Sequence, residues 1–308
     1  MENKTTPEWP ATQSVLLGNS FHYDNGGTYK WNCHLQLANP LMAYLIDHRY
    51  NGKALLPAAA FVETAFSALQ CVTEKTILTL EDMVFENAFI LPERSDNQIL
   101  RTTLLPECRN RIYSVLFHQF SNKNTVDRFG KIRAKGHGYA VEQPKTVESI
   151  SLEEIQQRCL YQLDGSSFYR NWEQRENSLY WGPAFRGVNQ LWIGDGECLA
   201  RILMPELIIN YTARICPHPA ALDACFHPVI ALLPLTWNER FVIKSIGMLE
   251  VTGTLPIISE YFSHVSATSK LINTSIIEVN VDILDSTGTL LCRVTSLRFS
   301  ILSGDHMD

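Results

Sequence analysis

A chain of 308 residues with 45% hydrophobic side chains can bury a substantial core, either as one large domain or as two of ordinary size. Its net charge of −6 argues against a nucleic-acid partner. No apolar run is long enough to span a membrane, and the opening Met1-Glu2-Asn3-Lys4 lacks the basic and apolar regions of a secretory signal, so a cytoplasmic location is expected. The eight cysteines form no C-x-x-C pair, and Cys71, Cys198, Cys225 and Cys292 lie in apolar runs, where a reduced, buried thiol is the ordinary reading.

In chain order, strands are predicted over residues 14–18 and 29–38, the second with Trp31, Cys33, Leu35 and Leu37 alternating with polar neighbours. A short helix follows over 40–47. Pro57 then stands where a longer helix over 59–71 begins, a position that loses no hydrogen bond, and Phe61, Ala65, Ala68 and Leu69 form its apolar face. From residue 80 to 141 the pattern is that of strands, over 99–105, 112–120 and 131–141, with polar turns at Asn110 and at 122–124.

The second half repeats this plan. Ser151-Leu152-Glu153-Glu154 has the form of a capping box for a helix reaching about residue 163, and a further helix is predicted over 166–175. Strands over 187–193 and 198–204 precede an apolar helix over 220–233, and strands over 241–251, 261–269, 276–284 and 290–301 close the chain. Helix followed by antiparallel meander occurs twice, which predicts an α+β fold of two similar halves, 1–145 and 146–308, joined by a polar link around 142–151.

Two polar groups stand out against this background. His48 lies in the run Asp47-His48-Arg49-Tyr50-Asn51-Gly52-Lys53-Ala54-Leu55-Leu56-Pro57, and Asp223 lies in Leu222-Asp223-Ala224-Cys225-Phe226-His227. A histidine beside an aspartate in a loop is usually a surface or structural residue, and an acid on an apolar helix can simply point to solvent. The neighbours of Asp223 leave little polar surface, however, so burial is expected to disfavour its charged form and raise its pKa. A neutral carboxyl group can protonate a departing hydroxyl, while a histidine can take a proton from carbon, and together they supply the acid and base needed to remove water. His227, one turn after Asp223, can orient the carboxyl group, and Pro228 bends the helix there. Gly52 is expected to permit a close backbone approach. Pro57 fixes the start of a helix whose free N–H groups and positive end can hold a carbonyl as enolate charge develops.

The spacing H-x-x-x-G-x-x-x-x-P over His48, Gly52 and Pro57, followed far downstream by D-x-x-x-H at Asp223 and His227, resembles the dehydratase domains of polyketide synthases. Trp181-Gly182-Pro183-Ala184-Phe185-Arg186-Gly187 is similar to that family's Y-G-P-x-F-x-G, which borders the substrate tunnel, so Trp181, Gly182, Pro183 and Phe185 are expected there. Leu16-Leu17-Gly18 matches the opening H-P-L-L-G, and Val281 to Gly288 with Leu297-Arg298-Phe299 matches the closing strand pair. Nearly the whole chain is covered, and the order and spacing of the motifs are specific together. Three departures stand out. Ala58 replaces the glycine that commonly follows the proline. Trp181 replaces tyrosine, keeping an aromatic wall and an N–H donor while losing the phenolic oxygen. The L-P-F-x-W pattern is not preserved at Phe241-Val242-Ile243-Lys244-Ser245, so no role is carried over to it.

The resemblance implies a double hotdog fold and a hydro-lyase that converts a 3-hydroxyacyl thioester into a 2-enoyl thioester, with His48 as base and Asp223 as acid. It implies no cofactor of its own, the substrate arriving on the phosphopantetheine of an acyl carrier protein, and other polyketide synthase domains as partners; a homodimer stays open. So do a double-bond shift, closure of a cyclic ether, and a non-catalytic carrier-docking module. The spacing of His34, His118, His137 and His264 is irregular and H-E-x-x-H is absent, so no metal is expected, nor does a G-x-S-x-G nucleophile occur. Between Arg101 and Lys135, eight basic residues stand against Glu107 and Asp127, and Lys131, Arg133 and Lys135 alternate with Ile132 and Ala134. One strand face would then carry three cations. Such a face is most often the solvated side of a sheet, and it would equally steer an acidic carrier.

Overall fold

In the computed structural model the described residues are 14–91, 98–108, 111–121, 130–142, 148–174, 179–209, 218–233, 240–252, 260–268 and 276–302. The first half contributes strands β1 (Ser20–Tyr23), β2 (Tyr29–Leu35), β3 (His48–Tyr50), β4 (Lys53–Ala54), β5 (Leu78–Phe85), β6 (Gln98–Pro106), β7 (Ile112–Ser121) and β8 (Lys131–Ala140) around helix α1 (Ala58–Thr73). The second contributes helices α2 (Leu152–Arg158), α3 (Gly165–Glu173), the single turn α4 (Glu206–Ile209) and α5 (Pro219–Phe226). Its strands are β9 (Tyr161–Asp164), β10 (Leu179–Trp181), β11 (Val188–Ile193), β12 (Glu197–Leu203), β13 (Arg240–Val251), β14 (Glu260–Ala267), β15 (Ile276–Leu284) and β16 (Leu290–Leu302).

Thirteen strands form one antiparallel sheet in the order β1-β2-β6-β7-β8-β5-β13-β16-β15-β14-β12-β11-β9. The β5–β13 pairing joins the halves edge to edge, so neither half leaves an open strand at the junction. Helix α1 packs on β5, β6 and β8, α5 packs on β12, β14 and β15, and the two helices touch. Each half is therefore a helix wrapped by its own stretch of sheet. The expected division between residues 145 and 146 lies outside the described residues, as do the turns at Asn110 and 122–124 and the cations Arg109, Lys123 and Arg128.

The sequence pattern explains these elements. Helix α1 is apolar nearly all round, and Ala59 through Leu69 are buried, as a helix enclosed by a sheet requires. In β15, Ile277, Val279, Val281 and Ile283 are buried while Ile276, Glu278, Asn280 and Asp282 are exposed or half-buried, the period-two signature of a one-sided sheet. In α5, His218 caps the first turn by accepting from the Ala220 N–H at 3.1 Å, and Pro219 occupies the first helical position.

Three predicted elements differ. Residues 14–18 form turns rather than a strand, with Leu17 N–H bonded to Ser14 O, because Leu16 and Leu17 dive into the core while Ser14 bonds Glu63 on α1. The helix opened by Ser151 ends at Arg158, and Tyr161–Asp164 becomes β9 because the edge of β11 offers it backbone partners. The helix predicted over 220–233 stops at Phe226 and continues as a 3-10 segment, His227–Leu232, since Pro228 lacks the N–H that an α-helix needs there.

Candidate active site

His48 is held by a hairpin. The turn between β3 and β4 places Asn51 and Gly52 at φ 47° and 74°, the pair of left-handed residues that a tight hairpin demands. A Cβ on Gly52 would meet nothing within 4 Å, so this glycine serves the turn and not the close backbone approach expected of it. The His48 carbonyl accepts from Leu55 N–H at 2.8 Å, and its Nδ1 lies 2.9 Å from the Leu55 carbonyl. A carbonyl oxygen only accepts, so Nδ1 carries the proton and Nε2 keeps the lone pair. The Phe185 ring packs on the imidazole at 5.2 Å.

A small second sheet ties His48 to the other half of the molecule. Strand β10 pairs with β3, setting Trp181 opposite His48. Past β10, Gly182 N–H donates to Asp47 O at 2.7 Å and Ala184 N–H to Asp47 Oδ2 at 2.9 Å. A Cβ on Gly182 would lie 2.5 Å from the Asp47 side chain, so only glycine permits this seam.

Asp223 and His227 come from α5 and the 3-10 segment after it. Both are buried, with His227 Nε2 at 2.9 Å from Asp223 Oδ2. The Trp181 ring lies 3.9 Å from the His227 ring at 34°, and its buried indole N–H is among the groups that lower the Asp223 pKa. The expected upward displacement of the Asp223 pKa is overturned. Burial does push it up, but the hydrogen bond from His227, the charge of His48 and smaller effects outweigh burial, and the net direction is below the ordinary carboxylate value. For His227 burial prevails over the Asp223 carboxylate and the net direction is down, which keeps the imidazole neutral.

His48, Trp181, Asp223 and His227 face one cavity of about 490 Å³. Its inner wall is apolar, with Phe61, Phe85, Phe89, Phe226 and Ile230, and Pro57 and Ala58 bring the start of α1 to it. It has the size and lining of a small-molecule site with a few convergent polar groups. Among the described residues no group of three His, Cys, Asp or Glu side chains is placed to hold a metal ion.

The family described as "Polyketide synthase dehydratase N-terminal domain" matches residues 148–308, and the one described as "Polyketide synthase dehydratase domain" matches residues 15–118. The chain belongs to the polyketide synthase dehydratase family. It is 22% identical over 275 residues to the polyketide synthase PksM of Bacillus subtilis, covering 85% of this chain and 6% of that protein. It is 26% identical over 261 residues to the phthioceranic/hydroxyphthioceranic acid synthase of Mycobacterium tuberculosis, covering 83% of this chain and 12% of that one. The dehydratase thus spans a small fraction of these relatives. The dehydratase domain from the CurJ module of curacin polyketide synthase superimposes with a TM-score of 0.81 at 22% identity, covering 94% of this chain and 99% of that one. A trans-AT dehydratase domain from Brevibacillus brevis gives 0.77 at 17%, covering 92% and 98%. The fold is the double hotdog.

Within this dehydratase the tunnel motif divides. Trp181 lines the cavity, whereas Gly182, Pro183 and Phe185 do not. Gly182 seals against Asp47, Pro183 is exposed, and Phe185 is fully buried behind His48 and against Tyr44, so Gly182 and Phe185 support the His48 hairpin rather than the cavity wall. Val242, Ile243 and Lys244, to which the sequence assigned no role, line the cavity instead. Exposed Glu86, Asn87 and Lys244 mark its mouth, with Arg133 beside them. Arg133 Nε is buried with no hydrogen-bond partner among the described residues, and Lys135 pairs with Glu86 at 2.8 Å. Sequence reasoning missed Tyr169, whose hydroxyl lies 3.1 Å from His227 Nδ1. Its only signal was a tyrosine on the apolar face of a predicted helix, where a buried hydroxyl needs a partner.

Proposed function

We propose that this dehydratase removes water from a 3-hydroxyacyl thioester carried on the phosphopantetheine arm of an acyl carrier protein, giving the 2-enoyl thioester. One observation carries the reading: a histidine with a bare Nε2, from the first half, and an aspartate, from the second, face the same apolar cavity. His48 Nε2 takes the α-proton, the C–H electron pair becomes the new C=C bond as the C–O bond breaks, and Asp223 gives its proton to the departing hydroxyl, which leaves as water. Pro57 and Ala58 set the start of α1 where its N–H groups can meet the thioester oxygen as enolate charge develops.

The reactive arrangement has a neutral His48 and a protonated Asp223, so the pair holds one proton. When that proton sits on His48, its charge draws Asp223 down into the carboxylate form. An acyl chain filling the cavity displaces water, and a drier site favours the neutral arrangement over the charge-separated one.

The chain would work in the cytoplasm beside the other domains of its synthase, and no cofactor is needed for these steps. The cationic mouth, with Arg133 and Lys244, fits an anionic carrier arm. Incubation with a 3-hydroxyacyl pantetheine thioester, followed by mass spectrometry and NMR of the product, tests the reading. Loss of one water with a new 2,3-alkene is expected. An unchanged substrate, or a product in which ring closure accounts for the mass, overturns it.

A further inference from the structure

The Tyr169 hydroxyl has three neighbours. It accepts from Val188 N–H at 3.1 Å, and its single proton has two candidate acceptors, His227 Nδ1 at 3.1 Å and the Phe185 carbonyl at 3.4 Å. The shorter contact is the better hydrogen bond. An Nδ1 that accepts is bare, so a neutral His227 carries its proton on Nε2, which is the nitrogen 2.9 Å from Asp223 Oδ2. Burial lowers the pKa of His227 and raises that of Tyr169, which keeps both groups neutral and the direction of donation fixed. The other titratable or charged groups facing the pair are His48, Cys225 and Arg186, whose guanidinium lies 5.6 Å from the Tyr169 ring.

We infer that Tyr169 is a positioning residue for the acid: it holds His227 in the Nε2–H tautomer, which pins Asp223 Oδ2 and leaves Oδ1 for the leaving hydroxyl. This rests on the dehydration reading above. Without the tyrosine proton, Nδ1 loses its partner and the imidazole is free to present a bare Nε2 to Asp223. Two lone pairs would then face each other as the carboxylate forms, and the leaving proton would have to be given up against that repulsion. The hydroxyl lies behind His227 and acts only through it.

The test uses the full chain. Nitrogen NMR of the ¹⁵N-histidine-labelled protein should show His227 as the Nε2–H tautomer, and Tyr169→Phe should lose that single form. Tyr169→Phe is expected to lower kcat about tenfold with KM within about twofold, the scale of one hydrogen bond to a developing charge. A glutamine amide carries its N–H without tautomers, so in a His227→Gln background the same tyrosine substitution should change kcat less than about twofold. An equal loss in both backgrounds would make Tyr169 a packing residue and overturn the inference, as would a parental His227 protonated on Nδ1. Should His227→Gln fail to fold, the tautomer in Tyr169→Phe decides, and an unchanged Nε2–H form counts against the inference. Should the parent not dehydrate at all, the functional reading fails while the tautomer measurement still stands by itself.

Discussion

Glu63 sits fully buried in the middle of α1, accepting from Ser14 Oγ at 2.5 Å and from Ser67 Oγ at 3.2 Å, with no cation beside it among the described residues. Burial raises its pKa from the ordinary 4.5 to about 7, because two hydroxyl donors do not replace the water lost. A carboxyl group raised in the fold binds its proton more readily there than in the unfolded chain. Stability is therefore complete below pH 4.5, declines as pH rises to about 7, and is flat above. The interval between these values corresponds to about 3 kcal/mol. Glu63→Gln resembles the protonated acid and cannot ionise. Its unfolding free energy relative to the parent should thus climb by about 3 kcal/mol across that window, as read from urea midpoints by tryptophan fluorescence. Glu197, held down to about 2 by Arg158 and His264, titrates below the window and cancels in the difference. A difference between the two proteins that is independent of pH would refute the reasoning.

His48→Ala should lower turnover by about 10²–10⁴-fold with the fold intact, and near-parental dehydration would remove His48 from the mechanism. Asp223→Asn keeps the shape but cannot supply the proton, so elimination should fail while α-hydrogen exchange with deuterated solvent persists; dehydration at the parental rate would contradict the assignment. Trp181→Phe keeps the ring against His227 and deletes an indole N–H that helps lower the Asp223 pKa, so that pKa should rise in the variant, as read by carbon NMR of the labelled carboxyl group, and an unchanged value would refute the contact. Reversing the exposed Lys131 and Lys135 to Glu should weaken use of a carrier-bound substrate, more so at low salt, and spare a pantetheine thioester. Equal loss on both substrates would indicate damaged folding, and no loss on either would put the docking surface elsewhere.

Elements whose cause is local were legible. The alanine-rich run gives α1, the alternation of Ile277 to Ile283 gives β15, and Pro228 interrupts the helix that carries Asp223. Elements decided by a distant partner were not. Residues 161–164 carry a helical pattern, yet the free edge of β11 converts them to a strand. The three-cation face was half right: Lys131 and Lys135 are exposed, but Arg133 is partly withdrawn to the cavity mouth, and Ile132 on the supposed apolar face is 38% exposed.

The same distinction explains the candidate site. That His48, Asp223 and His227 are candidates for one site was readable because each motif keeps its residues within one turn or one helix. The electrostatics were not, since neighbours in sequence reveal that Asp223 is buried but hide that His48, from the other half, faces it. Burial alone would hold the acid protonated at all times and leave it a reluctant donor. Opposing burial with one base across the cavity and one imidazole behind the carboxyl group moves the net pKa of Asp223 below the ordinary carboxylate value. The proton that Asp223 delivers in the proposed reaction is the one the pair shares, so its delivery depends on the coupling between His48 and Asp223. The double hotdog supplies it by bringing the histidine of one half and the aspartate of the other to a common cavity, where neither half alone could set the protonation of the pair.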